Sequence, residues 1–343
     1  MTIQTPSCPK RMEYGPCGGV GFDGSCEVGD FRCVFLDVPA VPWAGIDRHD
    51  VPRVPAVRTD AAARMRSLIA QRPIVVSDFP ARALDSASLR ECADILAGSV
   101  DATLLGDAGN ARVQFPPSYR AALVQQRGLA AWPGINDRDR NRVALEAELA
   151  ALADLGIAGV HCVTGDHTLV GERPDAAAVF DLDSTETAAL ARAAGHLVSV
   201  AESPAAPPTG LRAERLRQKV LAGADLCFVN HAGGSAPVAR FIAEVADTGA
   251  APGYLPCVPL VIDAGSAEVM RSFTTLVLPE GFIEAILSAA DPYRAGIEQA
   301  LRLAEAMLAL DGVVGVNLSG GADGAETRFA EASAEVARRL APA

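Results

Sequence analysis

The chain has 343 residues, half of them hydrophobic and 21% charged, enough apolar side chain for a packed core, which excludes wholesale disorder. Thirty Lys and Arg against 42 Asp and Glu leave a formal net charge of -12, so neither nucleic acid nor an anionic membrane surface is an expected partner; both need a positive footprint. No apolar run approaches the roughly 18 residues of a membrane span, and the opening MTIQTPSCPKRMEYGPCGG lacks a continuous apolar stretch, so a cytoplasmic protein without a secretory signal is expected.

Cysteine usage divides the chain. Of eight cysteines, Cys8, Cys17, Cys26 and Cys33 fall in the first 33 residues, separated by eight, eight and six others. In a chain with no export signal, clustered thiols read as metal ligands more readily than as disulfides. Glycines between them let backbone amides approach sulfur, and the segment holds too few apolar residues to fold by burial, so a metal would supply the missing folding energy. Four thiolates suit tetrahedral zinc or a [4Fe-4S] cube, and the spacing matches neither standard signature. The alternative is a Gly-rich cap with reduced thiols. Cys162 and Cys227 lie inside apolar runs, where cysteine is usually a small buried hydrophobe.

Residues 1–37 are thus expected as a Cys-rich segment, 38–60 as a Pro-rich extended connector and 61–343 as the body. In the body, strand-like apolar runs occur at 73–79, 100–106, 129–135, 157–164, 196–201, 225–230, 255–262 and 313–318. Helical patterns lie between them, among them 139–155, 212–222, 279–289 and 291–310. Short buried strands alternating with helices mean a parallel sheet with helices outside, and eight of them close most simply into a (β/α)8 TIM barrel. No GxGxxG follows the first run, which argues against a doubly wound dinucleotide fold.

Barrel chemistry sits at the C-terminal ends of strands. Polar residues there are Ser77 and Asp78, Asp107 and Asn110, Asn136 to Arg138, Thr164 to His167, Glu202 and Ser203, Asn230 and His231, and Ser319 to Gly321. Asp137 or Asp139 reads as the N-cap of the helix in DRNRVALEAEL, and Arg140 and Arg142 as solvated helix charges. Asp78 and Asp166 each end an apolar strand, where a carboxylate is costly unless it faces a site. Two such groups in one cleft can divide acid and electrostatic work.

Two stretches carry a family resemblance. Residues 132–167, WPGINDRDRNRVALEAELAALADLGIAGVHCVTGDH, and residues 213–231, AERLRQKVLAGADLCFVNH, resemble the methylenetetrahydrofolate reductases, with VSDFP at 76–80 in a matching place. The N-terminal CPK…GPCGG…CEV…C resembles the small cysteine-rich domain that accompanies some bacterial members. The resemblance implies reduction of 5,10-methylenetetrahydrofolate to 5-methyltetrahydrofolate, with hydride from FAD or directly from NAD(P)H. It implies Asp78 as the acid for ring opening, Asp166 as the carboxylate facing the cationic pterin, and Asn230, Thr164 and His231 on the substrate. Gly165, Arg215, Lys219 and Asn136 would lie on the cofactor. Asp78 and Asn230 stand where the family has glutamate and glutamine, each one methylene longer, and Thr164 replaces an arginine. A folate-binding methyl-transfer protein without redox activity is the alternative. Implied partners are folate and nicotinamide, with a homo-oligomer or a redox protein as candidates.

Overall fold

The eight apolar runs close on themselves. The computed structural model describes residues 7–45, 60–107, 111–322 and 324–341, so residues 46–59 of the expected connector, and Asn110, lie outside the described residues. The Cys-rich segment forms a small antiparallel hairpin, β1 (Ser25–Cys26) and β2 (Gly29–Arg32). The body opens with α1 (Asp60–Gln71) and then alternates: β3 (Ile74–Asp78), α2 (Ser86–Leu96), β4 (Ala102–Leu105), α3 (Pro117–Gln125), β5 (Ala131–Asn136) and α4 (Arg142–Leu155). It continues with β6 (Val160–Val163), α5 (Ser184–Ala193), β7 (Val198–Glu202), α6 (Arg212–Ala222), β8 (Leu226–Val229), α7 (Ser235–Asp247) and β9 (Gly253–Pro259). Three helices, α8 (Ala264–Arg271), α9 (Phe282–Leu287) and α10 (Pro292–Leu308), precede β10 (Gly315–Ser319), and α11 (Glu326–Leu340) ends the fold.

Strands β3 to β10 pair in parallel in sequence order, and β10 pairs back onto β3 to complete the barrel. Side chains alternate between the two faces of each strand. Outward residues such as Val75, Val316 and Val258 pack under the helices. The inward set splits by height. Near the N-terminal end, Ile74, Val76, Trp132, Phe228 and Leu255 fill the interior, and Ala62 and Met65 of α1 pack against them as a plug. Trp132 and Phe228 meet edge to face with centroids 5.8 Å apart, a pairing worth about 0.5–1.5 kcal/mol beyond its burial. Near the C-terminal end the inward positions are Asp78, Asn317, Cys257 and Asn136, so the polar chemistry is gathered at one mouth. Among the described residues no helix is long and apolar enough to cross a membrane.

The start of α4 differs from expectation. Its N-cap is Asn141, whose side chain accepts from Ala144 N at 3.1 Å. Asp137 is buried beneath α5 instead and accepts from Thr187 Oγ1 at 2.6 Å. Arg140 is not simply solvated, since it donates to Asn136 Oδ1 at 3.0 Å and to Asp139 at 2.8 Å.

Candidate active site

Asp78 ends β3 with both carboxyl oxygens engaged. Oδ1 accepts from Asn317 Nδ2 at 2.8 Å and Oδ2 from the Gly320 amide at 3.1 Å. Gly320 has φ +145°, and a Cβ there would sit 3.1 Å from the Leu260 carbonyl oxygen, so only glycine can aim this amide without strain. Burial pushes the Asp78 carboxyl above its ordinary value, and the hydrogen bonds offset this only in part. No charged side chain among the described residues pairs with it. Around it lie neutral groups. Asn317 also donates to Cys257 Sγ at 3.6 Å, and burial pushes that thiol up to about 12. His231 shares a hydrogen bond with Ser319 Oγ at 3.2 Å, and burial lowers its pKa to about 4, leaving the ring neutral at pH 7. Asn230 donates to Ser203 Oγ at 2.8 Å.

A second, charged cluster occupies the ends of β4 to β6. Asp107 accepts from Arg138 at 2.7 Å and from Asn136 Nδ2 at 3.1 Å. Burial alone would raise the Asp107 pKa, and the adjacent Arg138 outweighs it, so the carboxylate is held below its ordinary value. Asp166 is exposed and meets Arg112 at 3.5 Å. Thr164 is buried and accepts from Ser184 N at 3.2 Å. Gly165 has φ +83° and lies so close to Asn136 that a Cβ would come within 2.9 Å of it.

Arg215 and Lys219, expected beside a cofactor phosphate, are engaged elsewhere. Lys219 donates to Glu202 Oε2 at 2.9 Å and to the Ala201 carbonyl at 2.6 Å. Arg212 also reaches Glu202, at 3.2 Å. Burial would raise the Glu202 pKa, and its two cationic neighbours bring it below the usual range. Arg215 pairs with Asp183 at 3.4 Å and hydrogen-bonds Thr185 and the Tyr14 carbonyl. Arg212 donates to the Cys17 carbonyl at 3.0 Å and the Pro16 carbonyl at 3.3 Å. These arginines are therefore anchors for the Cys-rich segment, which sits as a cap on the rim formed by β6 to β9. Thr275 Oγ1 adds a hydrogen bond to the Gly18 carbonyl at 3.1 Å.

Within the cap, Cys8, Cys17, Cys26 and Cys33 line one pocket together with Lys10, Val20, Phe31 and Phe35. Among the described residues no three His, Cys, Asp or Glu side chains already converge on a single ion-binding point, so the thiols ring a space rather than meet. Burial is the main influence raising the pKa of Cys8, Cys26 and Cys33. An all-sulfur donor set around a shared pocket fits a thiophilic metal or cluster that draws the thiolates in.

The structure therefore brings Asp78, Asn230 and His231 to one neutral site. Asp166, Asn136 and Gly165 make their contacts within the charged cluster and its loop. Sequence reasoning did not single out Asn317 or Cys257. Both lie on inward positions of apolar runs, and the period-two alternation of polar residues was the signal that marks them. The raised pKa of Asp78 has a testable sign. A carboxyl whose folded-state pKa is raised leaves stability intact below its unfolded pKa and diminishes it as pH rises through the folded value. Asp78→Asn should therefore gain Tm relative to the parent between pH 4 and pH 8, checked by differential scanning calorimetry. A difference that is constant with pH would contradict the shift.

Comparison with known proteins gives three findings. A family model described as "Methylene-tetrahydrofolate reductase C terminal" matches residues 2–41. No curated protein matches the chain. Among solved structures, 2,3-dimethylmalate lyase, described as a PEP mutase/isocitrate lyase superfamily member, is 14% identical over 76% of this chain and 80% of that one, with a TM-score of 0.44. Oxaloacetate acetylhydrolase is 14% identical over 74% of this chain and 89% of that one, also at 0.44. At this identity and score the likeness concerns the barrel and not its chemistry.

These findings correct the expected function. The reductase-named match ends at residue 41, before the barrel begins, and no curated protein matches the chain. The reading of the chain as a methylenetetrahydrofolate reductase, with hydride from FAD or directly from NAD(P)H, is set aside together with its folate-binding alternative.

Proposed function

We propose that this chain is a barrel enzyme in which Asp78, its pKa raised by burial, gives a proton to a heteroatom of an uncharged, polar small molecule. The observation that supports this reading is Asp78 itself: a carboxyl with raised pKa at the C-terminal mouth, held by Asn317 and Gly320 and with no charged partner among the described residues. In its neutral form the carboxyl is a donor. After transfer, the carboxylate is received by the Asn317 amide and the Gly320 N–H, two donors already in place, so little reorganisation is needed. General acid catalysis of this kind typically contributes about 10²–10⁴ in rate. Asn230, Ser203 and the neutral His231–Ser319 pair supply orienting hydrogen bonds. A dianion would meet no free cation beside Asp78 among these residues, and burying it unpaired is costly.

A panel of fragments tests the substrate class. Benzamide and nicotinamide, set against oxalate and malonate, are assayed by saturation-transfer NMR. The neutral amides should bind with Kd of about 1 mM, equivalent to about 4 kcal/mol. Their binding should weaken as pH rises and Asp78 loses its proton, and Asp78→Asn should flatten that dependence. Binding of oxalate in preference to the amides would refute the reading.

For the cap, the proposed ligands of a thiophilic metal are Cys8, Cys17, Cys26 and Cys33. Bound there, the metal would supply folding energy to a segment whose own buried apolar cluster is small, chiefly Met12, Val20, Cys33 and Phe35.

A further inference from the structure

Between the thiol pocket and the barrel mouth lies a buried ion pair that the proton-transfer scheme does not use. Lys10 lines the thiol pocket and is 3% exposed. Its ammonium pairs with Glu27 at 2.6 Å and donates to the Gly165 carbonyl at 2.8 Å. The same Glu27 oxygen accepts from the His167 backbone amide at 2.8 Å. Gly19 makes room for this carboxylate; a Cβ there would overlap Glu27 Oε2. The cap thus grips two positions of the loop after β6, on either side of Asp166.

We propose that Lys10 and Glu27 are positioning residues that couple occupation of the four-cysteine pocket to the placement of loop 165–167 at the barrel mouth. The inference rests on the metal reading of the cap. Four thiolates on a divalent metal, or on a cluster, carry net negative charge, and Lys10 is the cation buried against them. It lines the thiol pocket and bonds the carbonyl of the residue before Asp166, so it stands between the pocket and the loop at the mouth. With the metal in place, Lys10 is attracted from the thiolate side while remaining bonded to Gly165. With the metal gone, the stretches that carry Lys10 and Glu27, two residues from Cys8 and one from Cys26, are no longer tied together and the cap loses its internal staple. The Glu27–His167 and Lys10–Gly165 bonds then have no rigid support. Coupling between sites of this kind is a shared free energy and acts in both directions.

Amide hydrogen exchange on the full chain tests it, with metal content measured in parallel by mass spectrometry. In the metal-loaded protein the His167 amide should be protected. Removing the metal with o-phenanthroline under reducing conditions should speed exchange across residues 164–170 roughly tenfold, within the usual range of coupling. Glu27→Gln, which keeps shape and an acceptor while removing the charge, should retain metal yet show less than a third of this response. Lys10→Met should behave likewise, and Glu27→Gln decides if Lys10→Met fails to fold. A merely structural role would change protection in the variants without altering the response to chelation. Unchanged exchange in the parent after verified metal loss, or a full response in Glu27→Gln, would overturn the coupling and leave the metal reading standing. Freshly purified parent protein with neither zinc nor iron would overturn both.

Discussion

Replacing Glu202 with leucine should cost about 3–5 kcal/mol of folding stability, the usual penalty for breaking a buried ion pair by removing one partner. Glu202 is 2% exposed at its side chain, and its two oxygens serve Lys219 and Arg212, whose side chains are 8% and 1% exposed. Without the carboxylate, two cations remain buried beside β7. Arg212 keeps its bonds to the Ala206 and Cys17 carbonyls, but neither carries charge. Lys219 keeps only the Ala201 carbonyl among the bonds described above. Because an ion pair exchanged as a unit for apolar side chains is often neutral, Glu202→Leu combined with Lys219→Met should recover at least half of the loss. Chemical denaturation of the three proteins measures this. A single variant within 1 kcal/mol of the parent would show that the network is not a stability element.

A second large effect is expected in the cap. Cys17→Ser together with Cys26→Ser removes half of the proposed donor set, and structural metal sites of this type supply about 10–16 kcal/mol of binding free energy to their segments. The variant should lose its metal, and limited trypsin digestion should cut at the exposed Arg11 and Arg32 within minutes, while the parent resists. The barrel should survive. Arg215 retains Asp183, Thr185 and Ser184, and Arg212 retains Glu202 and Ala206, so each keeps acceptors when the cap carbonyls leave. A cap equally resistant in both proteins would remove the metal from the account of its folding.

What the sequence disclosed and what it hid follow from range and period. The eight strands were legible because each is a short apolar run bounded by breakers, and residues 212–222 were legible as a helix to the residue. Asp78 stood out because a carboxylate ended such a run. Asn317 and Cys257 did not, because inside a barrel the inward face turns polar partway along the strand while the outward face stays apolar, and the run still reads as hydrophobic. Asn141 took the capping role expected of Asp137 or Asp139: Thr187, fifty positions on, gives Asp137 a buried partner, and Arg138 and Arg140 engage Asp139. The bonds from Arg212 and Arg215 to Cys17 and Tyr14 span about two hundred residues, and nothing local in either segment announces them. The resemblance to folate reductases was carried by short blocks, and the matching family reaches only residues 2–41.

The plug of Ala62 and Met65 beneath Trp132, Phe228 and Leu255 makes the barrel a blind alley. Whatever reaches Asp78 must come in at the C-terminal mouth and depart by the same doorway. Traffic is therefore two-way through a single threshold, and a departing product stands in the path of the next molecule to arrive.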